Sequence, residues 1–261
     1  LGLFAEFLYS EQRDRIIGER IEQQKTQAGL LVNAALDAPA DAVPYAARNI
    51  TPLREYALLD LRRRFDNVQA DPALRFRAAT LLTLFGEPQV EFLIDNIELA
   101  DRHECTNLVT ALSPYRDTVY PLLDQAAEQA ESQENWPLKA RIAILLWNLG
   151  QTSTAQEMLR LSANPIERVT LIDTIPQWHG SVNGLLARIS VADAGATRSG
   201  LLLGIGSIPL DELRPADLAA ASQKVAQWYH DMPDAGTHSA ADWSLRQWQH
   251  SLPESLGLHN F

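Results

Sequence analysis

The sequence predicts an all-α fold, an α-solenoid of stacked antiparallel helical hairpins. One observation behind this prediction is a helical stretch that occurs twice, at residues 74–86 and 138–150, with apolar side chains at i, i+4, i+7, i+8 and i+11. Another is a set of X-Pro breaks at Pro52, Pro114 and Pro176, which follow one another at 62-residue intervals. A stripe and a break that recur at fixed spacing are typical of helical repeats.

The two copies of the stretch share more than their apolar stripe. The stripe positions are Leu74, Ala78, Leu81, Leu82 and Phe85 in the first copy, and Leu138, Ile142, Leu145, Leu146 and Leu149 in the second. Arg77 and Arg141 are equivalent, and Gly86 and Gly150 close the copies where a helix C-terminus favours a left-handed residue. A shorter third copy contains Leu201, Leu202, Ile205 and Gly206.

A period of about 62 residues is too long for one helical hairpin of the common repeat families. We therefore predict two short hairpins per unit. The helices predicted after the first are 28–37, 40–50, 53–66, 73–86, 88–99, 102–112, 115–131, 138–149, 153–162, 165–175, 179–189, 195–206, 215–231 and 237–250. Thr51 and Ser113 are expected to cap the helices that begin at the following prolines. Nothing alternates with period two over a useful length, so no sheet is predicted.

This pattern divides the chain into four regions. Residues 1–27 are a lead-in helix, 28–194 hold the repeats, 195–250 form a C-terminal repeat or cap, and 251–261 are a tail. Two interpretations are open for the apolar residues 1–9: the end of a membrane anchor that lies upstream of Leu1, or a docked amphipathic helix, which these residues alone favour.

Composition limits the classes of function. The 261-residue chain is 46% hydrophobic and 21% charged, as in soluble globular proteins, and its net charge of −11 disfavours nucleic acid as a partner. The basic run Arg62 to Arg64 is interpreted as a solvated helix face. The single cysteine, Cys105, excludes a disulfide within the chain and a thiolate-rich zinc site, and we expect a buried thiol there rather than a nucleophile.

Aromatic residues provide the first candidate surface. Trp136, Trp178 and His179 are candidates to face a partner or ligand, although large aromatics in helical repeats usually pack between helices.

A polar cluster near the end of the chain is the other candidate site. It contains His230, Asp231, Asp234, His238 and Asp242, residue types that can bind a divalent metal. Because their spacing matches no established metal motif, we predict that they frame a turn and cap the last helix, with Asp234 near its N-terminus. His238 remains a candidate partner-facing residue. No catalytic, cofactor-binding or metal-binding residue is predicted, since the chain has no serine elbow, P-loop or kinase signature.

The C-terminal part resembles a known family. Residues 234–248, from Asp234 to Trp248, are similar to the segment D-P-G-x-H-x-A-A-x-W-L-L-R-x-W of HEAT-like regions in large planctomycete-type bacterial proteins, with departures at Ala235 and Ser244. Residues 197–206 resemble the V-R-R-A-L-L-L-A-L-G helix that precedes this segment there, and residues 30–60 resemble the earlier repeats. The resemblance implies HEAT-like repeats over residues 28–250.

In that family the repeats join a serine/threonine kinase, often with a membrane helix, to a domain of the formylglycine-generating, sulfatase-modifying type. The resemblance therefore implies a non-catalytic scaffold or linker of a larger bacterial protein, either cytoplasmic or held at a membrane through an upstream anchor. Its partners would be other proteins or neighbouring domains of the same polypeptide. Two alternatives stay open: a regulatory region of such a kinase or formylglycine-generating enzyme, and a small-ligand or lyase-type helical repeat with Trp178 and His179 in its pocket.

Overall fold

A computed structural model describes residues 2–100, 103–190, 193–232 and 234–250, with side chains from residue 12 onward. This part of the chain is helical and contains no strand, which confirms the predicted all-α class. It divides into two compact units, Leu1–Leu93 and Ile94–Phe261. The predicted tail at 251–261 lies outside the described residues, and so do the side chains of the apolar start at 1–9.

The first unit is built around the second half of a long helix. Its helices are α1 (Gly2–Asp37), α2 (Val43–Ile50), α3 (Arg54–Asp66) and α4 (Pro72–Leu84), and α5 (Val90–Asp95) begins at its end. The predicted end of the first helix at residue 27 is wrong, because α1 continues to Asp37. No proline interrupts residues 22–37, and an isolated Gly29 weakens a helix without ending it.

The core of this unit lies between α1, α2, α3 and α4. Its fully buried side chains include Val32, Ile50, Leu61 and Leu82. Residues 12–20 of α1 are instead exposed, so this stretch of the helix lies outside the core.

The second unit holds the remaining helices. They are α6 (Glu104–Leu112), α7 (Arg116–Ser132), α8 (Trp136–Leu149), α9 (Ser153–Met158), α10 (Ile166–Thr174), α11 (Val182–Ala187), α12 (Gly195–Gly206), α13 (Pro215–Asp231) and α14 (Ala235–Gln247). Helix α8 is central, because residues 142–149 are all buried and it packs against α6, α7, α9, α10 and α11. Beyond it, α10 packs on α12 and α12 packs on α14, while α13 packs on α11 and α14.

The glycines that close the first two copies adopt the predicted conformation. Gly86 has φ = 86° and Gly150 has φ = 122°. The N–H groups of the next residues, Glu87 and Gln151, each donate to a carbonyl five residues earlier at 2.9 Å, as in a Schellman motif. In the third copy Gly206 serves close packing instead, since a Cβ there would lie 2.5 Å from Ser244 Oγ.

The X-Pro breaks coincide with helix ends, but the predicted capping is wrong. The hydroxyls of Thr51 and Ser113 donate to carbonyls four residues earlier, at 3.0 and 2.7 Å, so they complete the preceding helix. Each break starts a 3-10 turn, Thr51–Leu53 or Ser113–Tyr115, with proline in its first residues. Other 3-10 turns are Ala40–Ala42, Ile97–Leu99 and Leu210–Glu212.

Candidate interaction surface

The equivalent arginines of the two repeat copies make equivalent contacts. Arg77 Nη1 on α4 donates to the Leu36 carbonyl at the end of α1, at 2.9 Å. Arg141 Nη1 on α8 donates to the Ala100 carbonyl at 3.0 Å. Both acceptors lie 41 residues before their arginine, in the turn that ends an earlier helix. The two arginines therefore make the same kind of contact at the same sequence distance.

Trp178 is a core residue. Its side chain is 1% exposed, its indole N–H donates to the Arg141 carbonyl at 3.2 Å, and the Arg141 guanidinium lies 5.1 Å from its ring centre. The expectation that Trp178 faces a partner or lines an open ligand pocket is therefore not met.

Trp136 lies beside an ion-pair cluster that links three helices. The ammonium of Lys139 on α8, whose side chain is 3% exposed, lies 2.8 Å from Glu131 on α7 and 3.0 Å from Glu167 on α10. It also lies 5.5 Å from the Trp136 ring centre. Burial acts to lower the pKa of Lys139, but the hydrogen bonds and charges of both glutamates outweigh it and the pKa is raised. This cluster holds α7, α8 and α10 together.

His179 lies in a turn that Asn148 organises. The Asn148 amide donates to the His179 carbonyl at 3.2 Å, and its oxygen accepts from the Ser181 N–H at 3.2 Å. The half-buried His179 ring lies 2.9 Å from the carbonyl oxygen of Gly180, which has φ = 63°. The contacts here belong to the turn between α10 and α11.

The C-terminal polar cluster separates into independent pairs. His230 Nδ1 lies 2.7 Å from Asp231, and Arg246 Nε lies 2.9 Å from Asp242. The exposed ring of His238 stacks on Tyr229, with centres 4.1 Å apart. Across the described ranges, no three residues of the His, Cys, Asp or Glu types are placed to share a metal ion.

Asp234 caps the last helix, as predicted. Its carboxylate accepts from the Thr237 N–H at 2.8 Å and from Arg198 Nη2 at 2.6 Å. Burial acts to raise the pKa of Asp234, but the hydrogen bonds from Arg198 and Thr237 and the charge of Arg198 lower it to about 2. The Arg198 side chain is buried, so this pair joins α12 to α14 within the core.

Two other predictions concern isolated side chains. Cys105 is fully buried, and burial raises the pKa of its thiol far above the usual range, as expected for an unreactive cysteine. Each arginine of the basic run is paired: Arg62 with Glu87, and Arg63 and Arg64 with Asp60. This run is a helix face with its own counter-charges.

Sequence reasoning missed a groove beside α13, called here the C-terminal groove. Its volume is about 480 Å³. One wall is a face of α13, made of Pro215, Leu218, Ala219, Ser222, Gln223 and Ala226. The other wall is the end of α14, made of Trp248, Gln249 and His250. Small residues at i, i+4, i+7 and i+11 were the signal for this face, since they let another backbone approach closely.

Trp248, on the second wall of the C-terminal groove, has an unsatisfied polar atom. This residue is 4% exposed, and its indole Nε1 is the buried side-chain nitrogen or oxygen without a hydrogen-bond partner among the described residues. A buried donor without an acceptor is costly, so its position marks a place where an acceptor would stabilise the fold.

Comparison with known proteins gives no match to a family model, to a curated protein or to a solved structure. Among the described helices, none combines the length and the apolar character that crossing a bilayer requires.

Proposed function

We propose that the chain is a non-catalytic helical-repeat scaffold that docks a protein partner in the C-terminal groove. In this proposal it is a HEAT-like linker region of a larger multidomain bacterial protein. The observation that carries the docking proposal is the mostly apolar lining of this groove along α13, with Trp248 on its other wall.

The packing of the second unit supports the scaffold part of the proposal. Helix α8 packs on α10, α10 on α12 and α12 on α14, which is the neighbour-to-neighbour pattern of stacked repeats. The equivalent contacts of Arg77 and Arg141 support the same repeat. The resemblance to HEAT-like linker regions supports placement between other domains.

The charged and polar side chains described above also fit a structural role. Lys139, Arg141, Asn148 and Arg198 are all engaged in contacts that join different helices. Their polar groups stabilise the packing of the array, which keeps a docking surface in one shape.

The lining of the C-terminal groove indicates the chemistry of its partner. The walls are apolar or uncharged apart from His250, so they favour an apolar segment over a phosphate or another strongly charged ligand. Trp248 lines the groove, and tryptophan is a residue type that often dominates binding energy at interfaces. A protein segment that presents apolar side chains fits this lining.

Affinity capture from bacterial membranes and cytosol tests this function, with the full chain as bait and mass spectrometry as readout. We expect a defined protein to bind the wild-type chain and to be lost with Ala219→Arg, because a bulky charge would fill the apolar wall. Ala220→Arg is the matched control, since Ala220 is also exposed on α13 but does not line the groove.

A partner retained by Ala219→Arg and Ala220→Arg alike would overturn docking in the C-terminal groove. If the bait captures no protein, the interaction role is overturned, and the chain would serve only as a spacer between domains.

A further inference from the structure

The apolar stripe of α1 continues past the part of the helix that its own unit covers. Ala28, Val32 and Ala35 belong to the core of the first unit. Ile21 and Ile17 precede Ala28 by seven and eleven residues, spacings that place them on the same face of the helix. Ile21 is half-buried, and Ile17 is 48% exposed. The exposed end of this stripe therefore offers an apolar contact to another element.

Two charged side chains beside Ile17 lack a close partner. Asp14 and Arg20 lie three residues before and three residues after it, on the two sides of the stripe. The Asp14 carboxylate lies 3.7 Å from Arg13 Nε, a contact between largely exposed groups that contributes little. Arg20 is exposed and forms no ion pair with any described residue. An element that packs on Ile17 can therefore pair with both charges.

Other charges of this stretch are paired within the helix. Arg15 Nε lies 3.2 Å from Glu19, and Lys25 Nζ lies 2.7 Å from Glu22. These pairs join residues three or four positions apart, which are neighbours on a helix surface. The charges that an incoming helix can use are thus concentrated on the two sides of Ile17.

A second copy of α1 that runs antiparallel is complementary to this face. A two-fold axis at Ile17 places this residue against its own counterpart, as in an isologous contact. The same axis brings residue 14 of each copy level with residue 20 of the other. Each Asp14 carboxylate then lies across from an Arg20 guanidinium, so the dimer contains this ion pair twice.

The overall charge of the stretch favours this occupant over an anionic surface. Residues 13–25 include four basic and three acidic side chains. Such a balance gives little attraction to acidic lipid headgroups or to a phosphate backbone. It suits a contact between two copies, because each sign on one helix meets the opposite sign on the other.

We propose that α1 associates with α1 of a second copy of this chain, antiparallel, with Ile17 at the crossing point and an Asp14–Arg20 ion pair on each side. The contact lies outside the C-terminal groove and does not depend on the proposed function. Residues 12–22 span only about 15 Å of helix, so the buried area is well below the roughly 800 Å² per partner of a stable complex. The dimer is therefore reversible, with a dissociation constant on the order of 10–100 µM.

Sedimentation equilibrium of the full chain over about 5–500 µM tests the ion pairs. We expect the wild type to dimerise and Asp14→Arg to weaken the dimer about tenfold, because each pair becomes a repulsion. The double variant Asp14→Arg with Arg20→Asp should restore the wild-type constant. Residues 14 and 20 are not neighbours on one helix, so the restoration has to come from contacts between two chains.

Three outcomes of this experiment would overturn the proposal. They are a wild-type chain that stays monomeric at the highest concentration, a dimer that Asp14→Arg leaves unchanged, and a double variant that dimerises no better than Asp14→Arg.

Disulfide formation at two adjacent isoleucines tests the crossing point. Ile17→Cys places a thiol on the two-fold axis. Ile16→Cys is the matched control, since Ile16 is more exposed, at 65%, but points roughly 100° away around the helix. Native Cys105 is buried and leaves little background. Under mild oxidation with glutathione disulfide, we expect the covalent dimer to form about tenfold faster with Ile17→Cys, because association raises the effective concentration of its two thiols. Equal rates, or a faster reaction at the more exposed Ile16, would place the contact elsewhere and overturn the proposal.

Discussion

Helices α4 and α8 carry the same sequence pattern, but the polar residues at their C-terminal ends are satisfied over very different distances. In α4, the Thr83 hydroxyl donates to the Ala79 carbonyl and accepts from the Gln89 N–H, both within six residues. In α8, the equivalent Trp147 donates to the Leu185 carbonyl at 3.0 Å, and Asn148 bonds residues 31 and 33 positions further along. The C-terminal end of α4 is therefore bonded locally, whereas that of α8 is bonded to the elements that follow it.

This difference shows how one repeat pattern supports two roles. The stripe, the arginine and the closing glycine provide a helix of fixed length and orientation in both places. The additional polar side chains of α8 then connect it to α7, α10 and α11. Substitutions in the shared apolar stripe should have similar effects in the two helices, and substitutions of polar residues that bond to other elements should destabilise α8 more.

The largest effect should come from the shared stripe. Leu82→Ala and Leu146→Ala each remove a fully buried side chain from equivalent positions, and each should lower the free energy of unfolding by about 2–5 kcal/mol. Thermal and urea unfolding of both variants would measure this. Leu74→Ala is the internal control. Leu74 is 39% exposed, so this stripe position lies outside the core, and its substitution should lower the free energy of unfolding only slightly. Unchanged stability at either central leucine would contradict the repeat alignment.

The arginines should show the difference between the helices more clearly. Arg141→Ala removes donors to three carbonyls and the stack on Trp178, and should cost about 1.5–3 kcal/mol, as for hydrogen bonds to charged groups. Arg77→Ala also removes hydrogen bonds to carbonyls, among them that of Leu36, but it uncovers no buried tryptophan and should cost less. Urea unfolding measures the loss in free energy of unfolding for both variants. A larger loss for Arg77→Ala than for Arg141→Ala would contradict this prediction.

The smallest effect should come from the aspartates that cap α14 and α4. Asp234→Ala removes a cap that is also paired with Arg198, and should cost about 1–2 kcal/mol at neutral pH. Asp71 caps α4 on an exposed surface through the Ala73 N–H at 2.8 Å, and Asp71→Ala should cost only about 0.5–1 kcal/mol.

The Asp234 contribution should also depend on pH. Because the folded pKa of about 2 lies below the ordinary value of 3.8, the stabilisation is present above pH 3.8 and is lost as the pH falls towards 2. The difference between the wild type and Asp234→Asn, measured by chemical unfolding across this range, should shrink as the pH falls. A difference that stays constant with pH would show that the carboxylate charge is not involved.

Local patterns in the sequence predicted most helices, because stripe spacing, glycine and proline act within a few residues. The stripe with Gly86 and Gly150 located two helix ends, and Asp234 was recognised as a cap. The continuation of α1 beyond residue 27 was missed, since the polar stretch before this residue and the more apolar stretch after it were interpreted as two helices.

The candidate site was much harder to predict than the helices. Burial of Trp178 and pairing of Lys139 with Glu131 and Glu167 depend on which helices meet, and one sequence does not specify this. The C-terminal groove was missed for the same reason, although the small residues of α13 and Trp248 were visible separately.

Hydrogen exchange on the full chain, followed by mass spectrometry with and without the captured partner, tests the docking claim most directly. The account predicts that protection on partner binding is concentrated in residues 215–226 and 245–250, the two walls of the C-terminal groove. Protection confined to another surface, such as the exposed residues 12–20 of α1, would contradict it.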